Sequence, residues 1–234
     1  MVITRRQVKA ALTIGLLFAI MLILPRESSP VPAAALHPSH TAVLLDPGHG
    51  APDGGAVAPD GTMESGINLQ IAQRTQALMA FCGVSAAMTR TGEQCVLYDP
   101  ADTIRENKVR DIRERLRLAR LNPGAVFISI HLNNFTDPRY SGAQMFYSPN
   151  AEDSVLLAQA LQARLIGLAD SANERTVKRA PDAVYLMNNI RTTAVIAECG
   201  FLSNPAELSR LKSGAYQTLL ALALTAGYLD YQTA

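Results

Sequence analysis

Tryptophan is absent from the 234 residues, cysteine occurs three times, and the charges nearly cancel, with 21 Lys+Arg against 20 Asp+Glu. Three cysteines are too few for a disulfide scaffold. A net charge of +1 lacks the basic surplus of a general nucleic-acid binder. Low charge is not matched by low hydrophobicity: 48% of the residues are apolar, which excludes a disordered chain. The length allows one domain or two small ones, and a body of roughly 190 residues buries enough surface for a real core.

The first 24 residues read as an export element. Arg5, Arg6 and Lys9 precede the uncharged run Ala10–Leu24, and Pro25 ends it. Fifteen helical residues rise about 22 Å, short of a hydrocarbon core of about 30 Å. Two readings stand: a short anchor helped by snorkelling basic side chains, or a signal peptide cleaved near Ala33–Ala35. Both place the body outside the cytoplasm, with the membrane touched through this segment only. Residues 25–40, rich in Pro, Ser and Ala, read as a linker in which His37 and His40 are solvated.

From residue 41 onward the pattern alternates strand and helix. Apolar runs at 41–46, 84–89, 125–130, 143–148, 183–187 and 193–197 read as strands. Helical spacing covers 64–81, 104–121, 154–168, 205–211 and 216–228. The expected fold is a single α/β domain: a twisted, mostly parallel sheet of about six strands with helices on both faces. The charge run on the 104–121 helix reads first as a solvated face, its apolar stripe being Ile104, Val109, Ile112, Leu116 and Ala119; gripping an anionic glycan or peptide carboxylate is the other reading.

The informative polar residues stand where apolar strands stop: His49 after the first, His131 after the third, Glu198 after the last. Glu64 opens the first helix. Ligands of open α/β sheets bind outside these carboxyl ends. Two imidazoles and a carboxylate are a donor set for zinc with one open position, and a second carboxylate, Glu198, following an apolar run, suits a general base with a raised pKa. Each residue taken singly also has a structural reading: His49 and His131 as hydrogen-bonded core histidines, Glu64 as a first-turn acid, Glu198 as the partner of an arginine. Asp46 is either a partner of a metal-bound His or a turn acid. Cys199 beside Glu198 is not read as a nucleophile, because strand alternation turns neighbours to opposite faces. Cys82 is read as a small core residue, and a Cys82–Cys95 bridge is conceivable.

Taken together, LLDPGHGAPDGGAV (44–57), Glu64 with NLQIAQ (68–73), TR (89–90), FISIHLNN (127–134), SGAQMFY (141–147) and AECGFLSNPAE (197–207) resemble the zinc-dependent N-acetylmuramoyl-L-alanine amidases, the amidase_3 family. The stretch LYDPADTIRENKVRDIRERLRLA (97–119) is similar to the CwlD-type spore-cortex amidases within it. The resemblance implies zinc on His49, Glu64 and His131, catalysis by Glu198, and peptide contacts from Asn133 and Asn134, which as residues after a strand read equally as turn formers. It implies hydrolysis of the amide between N-acetylmuramic acid and L-alanine in peptidoglycan. In a spore-cortex enzyme this precedes a muramic acid deacetylase on the way to muramic lactam, with the forespore intermembrane space as one location. Gly50–Ala51 and Cys199 depart from the usual pattern without touching a ligand position, and no autoinhibitory insertion is expected between His131 and Glu198. The alternatives are a zinc peptidase cutting within the stem peptide and a non-catalytic wall-binding protein.

Overall fold

The computed structural model describes residues 41–234; the predicted export segment, the linker, His37 and His40 lie outside them. Six strands are β1 (Val43–Pro47), β2 (Ala86–Met88), β3 (Val126–Asn133), β4 (Gln144–Tyr147), β5 (Lys178–Arg179) and β6 (Ala194–Phe201). Six helices are α1 (Glu64–Phe81), α2 (Ile104–Leu121), α3 (Asp153–Leu168), α4 (Tyr185–Asn189), α5 (Pro205–Leu211) and α6 (Gly214–Thr233). The sheet order is β2-β1-β3-β6-β4-β5, with β4 antiparallel to β6 and every other neighbour parallel. The expected α/β class with a mostly parallel sheet is therefore the observed one.

Alternation along the strands separates two cores. Val126, Ile128 and Ile130 of β3 face α1, α3 and α6, joined by Leu157, Leu161 and Leu165. Phe127 and, from β6, Ala194 and Ile196 face the other way, against Leu116 of α2 and Leu186 and Met187 of α4. Helix α1 ends as its sequence predicts, with Cys82 at the cap and Gly83 at φ 77°. Helix α2 starts in a capping box between Thr103 and Glu106. Among the described residues no helix is long and apolar enough to cross a membrane.

Several expectations need correcting. The run 183–187 is not a strand: its second half begins the short helix α4, and the fifth strand is the two-residue β5 at 178–179. A five-residue apolar run carries no periodicity that separates strand from buried helix, and two exposed basic residues at a sheet edge carry no apolar signal at all. The stripe on α2 is also redrawn. Ile104 and Val109 are exposed, and the inner face is built from Asn107, Asp111 and Arg115 together with Leu116 and Ala119. Part of the charge run therefore points inward. Cys82 is exposed rather than core, and all three cysteines are free thiols, with no Cys82–Cys95 bridge.

Candidate active site

From β1 the chain crosses to β2 on one side of the sheet and later to β3 on the other. The crevice of such a sheet opens at this reversal. His49 follows β1, His131 lies within the last turn of pleat of β3, and Glu198 lies on β6 as the direct register partner of His131. Both strands run further than the sequence suggests, so His131 and Glu198 are held by ladder hydrogen bonds rather than by loops.

Glu64, the first residue of α1, points back to the same place. One carboxylate oxygen, Oε1, is 2.9 Å from His131 Nδ1; the other, Oε2, is 3.3 Å from His49 Nε2. The imidazole rings meet edge to face, 5.0 Å between centres. One ligand atom from each of His49, Glu64 and His131 lies within 4.8 Å of the others. Backbone N–H groups of Ala56 and Leu132 and the amide of Asn68 also donate to the Glu64 carboxylate. Burial opposes its ionisation, but the hydrogen bonds and charges of His131 and His49 prevail and hold it well below the usual carboxylate range. Two imidazole nitrogens and one ionised carboxylate, converging on one point, fit a zinc ion with three protein ligands. They do not make the all-oxygen set of calcium or magnesium.

The geometry depends on close approach of the backbone. A Cβ on Gly48 would stand 2.2 Å from the His131 ring, and one on Gly55, at φ 71°, 2.6 Å from Glu64 Oε2. His49 itself takes φ 60°, a left-handed conformation costly for a non-glycine residue. The surroundings hold it there. Its Nδ1 lies 2.8 Å from Asp53 Oδ2, which leaves Nε2 facing Glu64. Such carboxylate partners fix the orientation of ligating imidazoles. Burial pulls the His49 pKa down, yet Asp53 and Glu64 together raise it to about 9.

Beneath the loop lies a buried ionic network. Arg115 Nη1 donates to Asp46 Oδ1 at 2.5 Å and its Nη2 to the His49 carbonyl at 2.5 Å, while Nε pairs with Asp111 at 2.7 Å. Arg90 donates to the carbonyls of Pro47, Gly48 and Ser65, each at 2.9 Å. Asp46 further accepts from Thr89 and Ser129. Its role is thus settled as the partner of an arginine and two hydroxyls, not of a histidine.

Glu198 stands apart from all this pairing. Its Oε2 is buried and has no hydrogen-bond partner. Burial pushes its pKa up to about 7; the charge on His131 pulls against that rise, and Glu64 adds to it. The cleft it borders has a volume of about 300 Å³, and Val184, Tyr185 and Leu186 form part of its wall. Asn133 closes β3 and accepts a hydrogen bond from the Asn134 N–H; Asn134 is exposed, and neither lines this cleft. The two helices between His131 and Glu198 are α3, packed in the core, and α4, which supplies the wall.

Sequence reasoning missed Asp53, Arg90 and Arg115. Asp53 was within reach, four residues past His49 in the same glycine-rich stretch. The spacing of Asn107, Asp111 and Arg115, four apart on one helix face, was the other available signal.

A family model described as N-acetylmuramoyl-L-alanine amidase, Amidase_3, matches residues 43–229. The germination-specific N-acetylmuramoyl-L-alanine amidase of Bacillus subtilis (strain 168) is 33% identical over 191 residues, covering 82% of this chain and 79% of that one. The CwlD amidase from Clostridioides difficile, solved in complex with the GerS lipoprotein, is 34% identical with a TM-score of 0.79, over 83% of this chain and 99% of that one. The amidase AmiC2 of Nostoc punctiforme gives 25% identity and a TM-score of 0.70, over 82% of this chain and 97% of that one.

Proposed function

Because this chain belongs to the Amidase_3 family and is an N-acetylmuramoyl-L-alanine amidase acting on peptidoglycan, we propose that His49, Glu64 and His131 hold a zinc ion and that Glu198 is the general base of the hydrolysis. Bound there, the ion supplies a Lewis acid for the lactyl carbonyl and lowers the pKa of water. Glu198 accepts the proton of the attacking water at Oε2, the buried oxygen without a partner in the protein. It then returns that proton to the departing alanine amine. A carboxyl poised near 7 is suited to both transfers. Asp53 keeps His49 in the orientation that presents Nε2. Val184, Tyr185 and Leu186 shield part of the cleft from water. Asn133 and Asn134, just beyond His131, are the proposed contacts to the peptide backbone. The observation that carries this reading is an unpaired carboxylate directly across the β3–β6 ladder from one member of a His–Glu–His group.

The biological setting is spore cortex, where the product feeds a muramic acid deacetylase and muramic lactam forms. The germination-specific enzyme of Bacillus subtilis and the CwlD amidase support it. The N-terminal segment at 1–24 supports an exported, extracytoplasmic enzyme, secreted or anchored. A peptidoglycan digest, with metal analysis of the same preparation, tests the chemistry. It should yield intact stem peptides with free N-terminal L-alanine and about one equivalent of zinc. Cuts inside the peptide would instead mean a stem-peptide peptidase. Glu198→Ala should retain zinc and lose at least 10²–10⁴-fold in turnover, the range general-base catalysis contributes. Unchanged turnover would remove Glu198 as the base, whereas wall binding without any turnover in either chain would leave only a wall-binding protein.

A further inference from the structure

We infer that Arg175 binds the free carboxylate of the stem peptide next to the scissile bond, and so selects substrates by the charge of their second residue. The inference rests on the amidase reading for the identity of that peptide. Gln144 of β4 is the register partner of Glu198 across the antiparallel β4–β6 pair, so the two side chains share one face of the sheet. Arg175 Nη1 donates to Gln144 Oε1 at 2.9 Å, and Nε donates to the Ser141 carbonyl at 2.7 Å. The guanidinium lies over the Phe201 ring, 4.7 Å from its centre, with the Tyr140 ring at 5.9 Å. Its acceptors are all neutral. No carboxylate among the described residues lies within ion-pair distance, and Nη2 makes no hydrogen bond to them. Lys108 and Arg115, the cations that line the cleft itself, are already paired with Asp53 and with Asp46 and Asp111.

A pinned, stacked guanidinium with no counter-charge is preorganised for a planar anion. Gln144 is one strand from Glu198 and Arg175 bonds to it, which puts the cation about 5–10 Å along the sheet from the base. In the stem peptide L-alanine is followed by a γ-linked D-glutamate whose α-carboxyl stays free unless amidated. In an extended chain that carboxyl lies roughly 6 Å from the scissile nitrogen. The two spans agree.

The test uses the full, zinc-loaded chain carrying Glu198→Gln, which binds without turnover. It is titrated with muramoyl-L-alanyl-D-isoglutamate and with its D-isoglutamine analogue. The acid should bind roughly ten- to hundred-fold more tightly, as expected for a charge-assisted pair. Adding Arg175→Gln should erase that preference and leave binding of the amide in place, while Arg175→Lys should retain part of it. The proposal is overturned if the starting chain shows no preference, if the preference survives Arg175→Gln, or if affinity for both ligands falls equally. The amidase reading is checked separately, by release of the peptide amine from the acid ligand with Glu198 intact.

Discussion

Asp46, fully buried, and Glu198, half-buried with one carboxylate oxygen enclosed, stand on strands that flank β3 on either side, and they end in opposite states. Burial pushes both toward the neutral form. Asp46 is matched by Arg115, Thr89 and Ser129 and stays below the usual carboxylate range. Glu198 has no such partners on Oε2 and rises to about 7. Pairing, not depth, decides the protonation state. The molecule uses the paired carboxylate to fix the loop that carries His49 and leaves the unpaired one able to move a proton.

The strongest way to break this contrast is to strip Asp46 of its partner. Arg115→Met leaves a buried charge uncompensated and should cost about 3–5 kcal/mol in denaturant unfolding. Adding Asp46→Asn should recover much of that loss. A cost below about 1 kcal/mol would show that the network does not hold the loop.

A pH series sharpens the contrast. In the metal-free chain the native Glu198 keeps a proton that the unfolded chain releases near the ordinary value of 4.5. The native state therefore binds more protons, and its stability falls as pH rises from about 4.5 to about 7. The size of this loss is on the order of 3 kcal/mol. Asp46 acts in the other direction: its contribution is present above the ordinary value of 3.8 and disappears only as pH falls through its lowered native value. Unfolding midpoints at pH 5 and pH 8 should thus converge for Glu198→Gln relative to the unsubstituted chain. Parallel behaviour of the two chains would remove the basis for a poised base.

The smallest expected effect concerns a third carboxylate, Asp53, which orients rather than ligates. Asp53→Asn should weaken zinc binding roughly 10- to 100-fold in a chelator competition. Its fold should be nearly unchanged, because Asp53 is partly exposed and its other ion pair, with Lys108, lies near the surface.

The alternating architecture was legible in the sequence, and His49, Glu64, His131 and Glu198 stood out at strand and helix ends; it was the resemblance to the amidases, not their spacing, that joined the four into one site. The sequence did not show which charges of the α2 run turn inward. Arg115 looks like Arg113 and Arg117 until the carbonyls it serves are in place, and those belong to a loop 66 and 68 positions earlier. The unpaired carboxylate of Glu198 was suggested by the apolar run before it, but the lack of a partner is a property of the whole neighbourhood. The wall formed by α4 was hidden for a local reason, since AVYLM at 183–187 suits a strand as well as a helix.

The carbonyls of Pro47, Gly48 and His49 are all claimed by Arg90 or Arg115, two side chains rooted outside that loop. Inserting or deleting one residue between Asp46 and His49 would put every following acceptor out of phase with its donor. Length, more than composition, is therefore the property that three residues of chain have to keep, and a library that varied spacing there would return almost nothing folded.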